Sequence, residues 1–313
     1  MPKLIQKLNE ALFVKNSIFL VFLLYSNFIE SQNQQIDLTI SNDKFVFIDR
    51  YYTSGLHLSY RKGLKQNFIF TKQEDNKLQL NITVGNETYT PTNLNSFDNR
   101  DFDRPYAGWL FGKLELGRIK KKSALFFAVE SGVTGEESLA GKLQIRLHEF
   151  LNIGSRPTWA DEIAYKWLFN FKASKIYDFQ LNNKNSIQNQ IEASLGSKDT
   201  YIMNNLVYFF GKFNDLQNSS RLNLVDNSQN KEFYGFILAG YKYVLLNTLI
   251  QGSPFDDDDP FTSISTQSVF KLSAGAVLKT KKNIIKLGYY FNTKETPLST
   301  SHTYGALTFG FSF

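Results

Sequence analysis

Two short stretches of the sequence carry side chains that could hydrolyse or bind a ligand. In the first, residues 41–60, Asn42 and Asp43 precede an acidic, tyrosine-rich loop and Thr53 follows it. Amide, carboxylate and hydroxyl oxygens are the ligands that a hard cation prefers. The same residue types are common in turns, so the stretch alone is consistent with either a cation site or an ordinary turn.

The second stretch, residues 135–152, has a helical rather than an alternating period. Its large apolar side chains share one face, at i, i+4 and i+8 spacing: Leu139, Leu143, Leu147, Phe150 and Leu151. Gln144 and His148 lie four residues apart at the border of this face. A neutral histidine in that position could act as a general base at an amphipathic surface. The alternative is a half-buried or solvated histidine without a catalytic role.

Composition limits the chemistry and favours strands. The 313 residues include no cysteine, which excludes a disulfide framework, a thiolate metal site and a cysteine nucleophile. Aromatic residues make up 15% of the chain, as in strand-rich proteins. The net charge of +6 suits an anionic lipid surface. No basic cluster interleaved with aromatic residues indicates a nucleic-acid partner.

The first 31 residues differ from the rest. Three lysines precede the apolar run SIFLVFLLY, and a polar segment follows it. This pattern predicts a secretory signal peptide over residues 1–31, with an N-terminal anchor helix as the alternative. The apolar run is shorter than the ~18 residues that a spanning helix requires.

Residues 32–313 predict an all-β fold, a transmembrane antiparallel barrel of about twelve strands. Segments of about ten residues alternate apolar and polar side chains between turns, which is typical of outer-membrane barrels. They are centred on residues 36–41, 56–60, 78–84, 110–116, 125–130, 163–170, 190–195, 205–213, 237–243, 270–278, 285–291 and 307–313. The eighth is apolar on both faces and cannot be oriented from its sequence. A soluble β-sandwich is the alternative fold.

The alternation also predicts what faces the barrel interior. The polar parity carries both signs of charge: Lys113, Lys166, Lys242, Lys271 and Lys286 with Glu115, Glu130 and Glu192. Such groups can pair, which predicts a filled interior rather than an open pore. With a periplasmic start, short turns face inward and long loops face outward. The inner links at 64–76 and 214–232 are longer than this pattern expects.

The motifs together resemble those of the outer-membrane lipid A 3'-O-deacylases, which are calcium-dependent barrels. The resemblance covers nearly the whole mature chain. It depends on Asn42-Asp43, on DRYYTSG from Asp49, on DRPYAGW from Asp103, on Gly135 with Gln144 and His148, and on PTWADE from Pro157.

The resemblance implies an enzyme of the bacterial outer membrane that removes an ester-linked acyl chain from lipid A. It implies His148 as the base, Asn42, Asp43 and Thr53 as catalytic residues, Asn42 and Asp43 as Ca²⁺ ligands, and Gln144 and Arg104 as substrate contacts. A monomer is expected. The alternatives are an outer-membrane phospholipase or esterase and an inactive barrel.

The chain departs from the family at one position. A family glutamate is expected six residues after the histidine, and this chain has Gly154 there. Glu149, Asp161 or Glu162 could supply the carboxylate instead.

Overall fold

The computed structural model of the chain describes residues 33–46, 50–64, 76–151, 156–225 and 230–313. The predicted signal peptide and Gly154 lie outside these residues. Across the described ranges, no helix has the length and apolar character needed to cross a membrane.

Twelve antiparallel strands follow one another around a closed barrel, and β1 completes the ring by pairing with β12. The strands are β1 Gln34–Asn42, β2 Tyr51–Leu64, β3 Lys77–Thr90, β4 Ala107–Ile119, β5 Ser123–Val133, β6 Trp167–Asn182, β7 Asn185–Gly196, β8 Asp199–Lys212, β9 Glu232–Asn247, β10 Ser268–Lys279, β11 Asn283–Asn292 and β12 His302–Ser312. Each predicted segment overlaps a different strand. The barrel and its strand number are therefore confirmed.

Helical structure is confined to the connections in the described part of the chain. The two α-helices are α1, Ala140–Leu151, and α2, Thr248–Gln251. Short 3-10 turns cover Asp43–Val46, Asn99–Asp101, Gly135–Ser138, Leu216–Asn218 and Ser220–Leu222. The amphipathic helix predicted within residues 135–152 is α1, which lies in the external connection between β5 and β6.

The strands alternate between an apolar outer face and a mixed inner face. On β2, for example, Leu56 and Leu58 are exposed on the outside. The structure also orients the ambiguous β8, whose Val207 and Phe209 are buried inside while Leu206 is exposed outside. The ring of Phe209 packs with other apolar side chains in the lumen. Strand β8 is therefore apolar on both faces, because its inner face borders this apolar cluster.

The sixth predicted segment begins too early. The sequence placed Ile163 and Lys166 in a strand, with Lys166 facing the lumen, but β6 begins at Trp167. Ile163 is instead buried in a cluster with Trp109 and Leu249. Lys166 lies in the external connection and forms ion pairs with carboxylates of the 256–259 loop. The alternation of apolar and polar residues therefore begins several residues before β6 does, where the backbone is still a loop.

Of the predicted lumenal charges, Lys113 and Glu115 pair with each other, and Glu130 pairs with Lys172 of β6, which the prediction did not name. Lys172 Nζ lies 2.8 Å from Glu130 Oε2, and Lys113 Nζ lies 3.7 Å from Glu115 Oε2. Buried charges are stable only when they are paired or hydrogen-bonded. These pairs therefore fill the barrel without leaving isolated charges at those positions.

The inner link after β8 is long because residues 214–225 fold back into the barrel lumen, where they form a plug. Arg221 of the plug donates to Asp178 on β6, with Nη1 3.0 Å from Oδ1 and both side chains buried. Lys77 Nζ donates to the Val225 carbonyl at 2.6 Å. Leu216 and Leu224 pack in one cluster with Phe126. The plug occupies the periplasmic end, as expected of a wall rather than a pore. The other long link falls mostly outside the described residues.

Candidate active site on the outer wall

Helix α1 lies on the outer surface of the barrel, over strands β3 and β4. Gly108 faces outward on β4, two residues from outward-facing Leu110. A Cβ atom built on Gly108 would collide with Ser138 Oγ and would lie 2.6 Å from Ala140 Cβ. Outward-facing Asn86 on β3 donates from Nδ2 to the Ser138 carbonyl at 2.6 Å. The missing side chain at Gly108 therefore lets the beginning of α1 lie directly against the wall.

This close approach predicts a specific steric effect. Gly108→Val is expected to displace α1 from the wall, because inserting carbon atoms into a packed contact costs about 1–3 kcal/mol. Limited trypsin digestion at Lys142 and Arg146 in the folded barrel measures the displacement as faster cleavage.

Gly112→Val is the matched control for this prediction. Gly112 lies on the same strand and the same face, and nothing lies within 4 Å of a Cβ built there. Equal cleavage rates in the two variants would contradict the packing of α1 on Gly108.

The side chains of α1 form a polar stripe, an apolar stripe and a charged stripe. The stripe that faces the wall is polar at its centre, since Ala140, Gln144 and His148 are buried and the latter two are only 4% and 8% exposed. The apolar stripe, with Leu143 and Leu147, is exposed instead. The orientation is the reverse of an ordinary surface helix, whose apolar side faces the protein. It places the candidate base in the crevice between helix and wall.

The side-chain amide of Gln144 has a fixed orientation. Trp159 Nε1 donates to Gln144 Oε1 at 2.8 Å, and an indole nitrogen can only donate. Nε2 must therefore be the other end of the amide. It is buried and finds no hydrogen-bond acceptor among the described residues. Two N–H groups are thus available to an oxygen that enters the crevice one turn from His148.

Trp159 is itself held between the helix and the external loops. Its ring lies 5.1 Å from the ring of Tyr106, centroid to centroid. A Cβ built on Gly141 would lie 2.8 Å from Trp159 Cδ2, so the indole contacts the helix backbone directly. The sequence motif PTWADE contains Trp159, but the sequence gives no indication that it orients Gln144.

A β-bulge turns Thr53 towards the same outer surface. Tyr52 pairs with Tyr89 and Ser54 pairs with Thr88, which leaves Thr53 as an extra residue between them. Regular alternation would have placed Thr53 on the inner side with His57. The hydroxyls of Thr53 and Thr90 instead share a 2.7 Å hydrogen bond on the outer side. A bulge commonly redirects a side chain in this way near active sites.

Asn42 ends β1 on the same outer face. The paired residues Asn42, Ser54, Thr88 and Gly108 form one row across strands β1 to β4. With strands ~4.8 Å apart, this row is about 14 Å long. A helix of twelve residues spans ~18 Å, so the width of this wall is comparable with the length of α1.

Asp43 begins the 3-10 turn that follows β1. Its side chain is completely buried, and Oδ2 accepts a hydrogen bond from the Arg50 backbone N–H at 2.6 Å. Phe45 of the same turn covers Gly305, which pairs with Asn42. The turn therefore folds over the outer wall, adjacent to Asn42. Thr53, Asn42 and the buried stripe of α1 all lie at the extracellular end of this wall.

The oxygen-bearing side chains at the end of β1 and the beginning of β2 are of the types that a hard cation binds. They comprise a buried carboxylate, an amide oxygen and a hydroxyl, all of which are oxygen ligands of the type that Ca²⁺ accepts. A buried carboxylate also favours a positive partner. Asn42 and Asp43 are the residues that would hold such an ion.

A second acidic group in the described residues lies elsewhere. Ligand oxygens of Asp256, Asp258 and Asp259 are within 4.8 Å of one another. Lys166 Nζ is 2.5 Å from Asp256 Oδ1 and also contacts Asp258. Asp259 accepts the Ala164 backbone N–H at 2.8 Å. These carboxylates therefore already face an ammonium group, and they join two external loops.

Arg104 lies at the barrel mouth rather than beside α1. Its guanidinium is 4.7 Å above the inward-facing ring of Tyr89, and Nη1 is 3.4 Å from Glu295 Oε2. Burial lowers the pKa of Arg104, although Glu295 opposes this effect. The structure does not bring Arg104 together with the other candidate residues. Its role in substrate binding stays a prediction.

The three carboxylates that could replace the family glutamate, Glu149, Asp161 and Glu162, have different surroundings. Asp161 accepts a hydrogen bond from Asn99 Nδ2 at 2.9 Å, and Glu149 is on the exposed charged side of α1. Burial, together with repulsion by Glu136 and Glu137, raises the pKa of Glu162 to about 7. Glu162 therefore belongs with the beginning of α1, and His148 lies two turns further along the helix.

The lipid-facing outer wall, the closed ring of strands and the external helix define an outer-membrane β-barrel protein. The sequence pattern of the family described as outer membrane protein LpxR matches residues 15–313. The chain belongs to this family, the lipid A 3'-O-deacylases, and it is a protein of the bacterial outer membrane.

The fold matches that of a solved structure of this family. LpxR from Salmonella typhimurium superposes with a TM-score of 0.75 at 18% identity, covering 89% of this chain and 100% of that one. The β domain of the Bordetella autotransporter BrkA has a TM-score of 0.47 at 11% identity, with 90% and 99% covered. No curated protein matches the chain by sequence.

Proposed function

We propose that this chain hydrolyses an ester bond in lipid A at the crevice between α1 and the outer wall of β1 to β4. The observation that carries the proposal is the placement of His148 and Gln144, which are buried on the outer side of the wall. A lumenal site would take a soluble substrate, whereas this crevice opens beside the membrane leaflet. An amphiphile whose acyl chains already lie in that leaflet fits this geometry.

In the proposed reaction, His148 accepts a proton from water while the water oxygen attacks the ester carbonyl carbon. Gln144 Nε2 donates to the carbonyl oxygen as negative charge develops there, because a fixed donor needs no reorganisation during the reaction. The ester C–O bond then breaks, and the imidazolium returns its proton to the departing alkoxide. The products are a free fatty acid and a sugar hydroxyl.

Asn42 and Asp43 are proposed to hold Ca²⁺, with Thr53 shaping the same region of the site. When bound, the ion supplies positive charge that polarises the ester carbonyl. The oxygen-only donor chemistry at the ends of β1 and β2 supports this choice over a softer metal. The expectation of a monomer also stays a prediction.

Mass spectrometry of lipid A tests the proposed function. Expression of the chain in a Gram-negative host with fully acylated lipid A is expected to remove the mass of an ester-linked acyl group. Extraction of divalent cations from purified outer membranes should stop the reaction, and added Ca²⁺ should restore it.

The competing functions give different results in the same assay. Fatty acids released from phospholipids, with lipid A unchanged, would favour a phospholipase. An unchanged profile for both lipids, from a barrel shown by heat-modifiable electrophoretic mobility to be folded, would contradict hydrolysis and favour an inactive barrel.

A further inference from the structure

The exposed apolar stripe of α1 has no protein neighbour that covers it within the described parts of the chain. Leu143, Leu147 and Phe150 are 48%, 43% and 77% exposed. Leu139, immediately before the helix, extends the stripe and is exposed as well. A soluble loop helix would turn these side chains towards the barrel. Here the side turned to the barrel is the polar stripe with Gln144 and His148.

The position of α1 along the barrel axis indicates which environment covers the apolar stripe. Tyr165 and Trp167 are strongly exposed at the outer beginning of β6, and such aromatic residues concentrate at membrane interfaces. A Cβ built on Gly135 would lie 2.7 Å from Tyr165 N, so the helical segment begins beside this aromatic pair. The stripe therefore continues the lipid-facing wall at the level of the membrane surface.

The charged side chains of α1 also lie together on one side of the helix. Lys142, Arg146 and Glu149 are exposed, and at 100° per residue they lie opposite Gln144 and His148, next to the apolar stripe. A helix with an apolar stripe and a basic stripe lies in the plane of a membrane interface.

We propose that α1 is an interfacial helix whose apolar stripe inserts into the acyl region of the outer leaflet. Its basic side faces the headgroups, and its polar side with His148 remains against the barrel. This surface depends on the barrel's location in the outer membrane and does not depend on the proposed hydrolysis. The leaflet itself completes the third side of the crevice.

The absence of native cysteine allows a direct test by site-specific labelling. Single-cysteine variants Leu143→Cys and Leu147→Cys, labelled with the fluorophore NBD, are reconstituted in vesicles of phosphatidylethanolamine and phosphatidylglycerol. A phosphatidylcholine tracer carries a nitroxide on its acyl chain, and iodide serves as the aqueous quencher. Lys142→Cys and Glu149→Cys, about 100–160° around the same helix from Leu143 and Leu147, are the matched variants at exposed charged positions.

Labels at 143 and 147 are expected to show blue-shifted emission, strong quenching by the nitroxide lipid and weak quenching by iodide. Labels at 142 and 149 should show the opposite preference. Val129→Cys on the exposed outer wall and Asp257→Cys in an external loop set the two limits of the scale.

The proposal is overturned if the labels at 143 and 147 are as accessible to iodide as the label at 257. Heat-modifiable mobility of each labelled barrel shows that it is folded. Because depth is measured without substrate, loss of the proposed enzymatic function would leave this result unchanged.

Discussion

Replacement of His148 by glutamine is expected to reduce acyl release by about 10²–10⁴-fold, the usual contribution of a general base. The substitution keeps a polar side chain in the buried stripe but removes the group that accepts a proton from water. Single-turnover release of fatty acid from purified lipopolysaccharide, with enzyme in excess, measures the chemical step directly.

Arg146→Gln is the matched control for this variant. It introduces the same side chain two residues away, on the exposed side of the same helix. The control should retain its rate, and both variants should keep the heat-modifiable mobility of a folded barrel. A rate for His148→Gln equal to that of Arg146→Gln would show that the buried histidine is structural.

The strands were predictable because a membrane barrel imposes one simple rule on its sequence. Side chains must alternate between lipid and lumen, and Leu56, Leu58 and their counterparts follow this rule in nearly every strand. The same rule failed where packing replaced it. Ile163 continues the alternation but is buried against side chains of β4 and β6, because the chain enters the wall only at Trp167.

The site was predictable in its residue types but not in its arrangement. Helical spacing placed Gln144 and His148 on one face, yet amphipathicity alone would turn the leucines towards the protein. Thr53 faces the outer surface only because one extra residue enters β2 opposite β3. No residue type at positions 52–54 requires such a bulge, so a pattern with a period of two cannot detect it.

The contact between Trp159 and Gln144 was hidden for a different reason. It depends on a loop whose backbone has positive φ at Trp159 and Asp161, a conformation that is uncommon outside glycine. Tertiary packing on Tyr106 and the α1 backbone therefore determines where the indole lies. The plug at 214–225 could not be predicted either, because the sequence shows the length of this link but not its path into the lumen.

The orientation of Gln144 leads to the second large expected effect. In Gln144→Glu, one carboxylate oxygen can still accept from Trp159, and the other would replace the Nε2 donor with a negatively charged acceptor. Losing a donor to a developing oxyanion costs about 10²–10³-fold in kcat. The added repulsion should place this variant at or beyond the upper end of that range, with KM changed much less than kcat.

Trp159→Phe tests whether the indole orients the amide, because it keeps an aromatic ring against Gly141 but removes the N–H donor. A hydrogen bond contributes about 0.5–1.5 kcal/mol, so the expected loss in kcat is at most about tenfold. Trp167→Phe is the matched control, since its Nε1 donates to Ser131 Oγ at 2.7 Å on the exposed wall. If Trp159 acts through Gln144, adding Trp159→Phe to Gln144→Ala should cause no further loss in kcat. An equal loss in both backgrounds would instead mean that the indole supports only the fold of the loop.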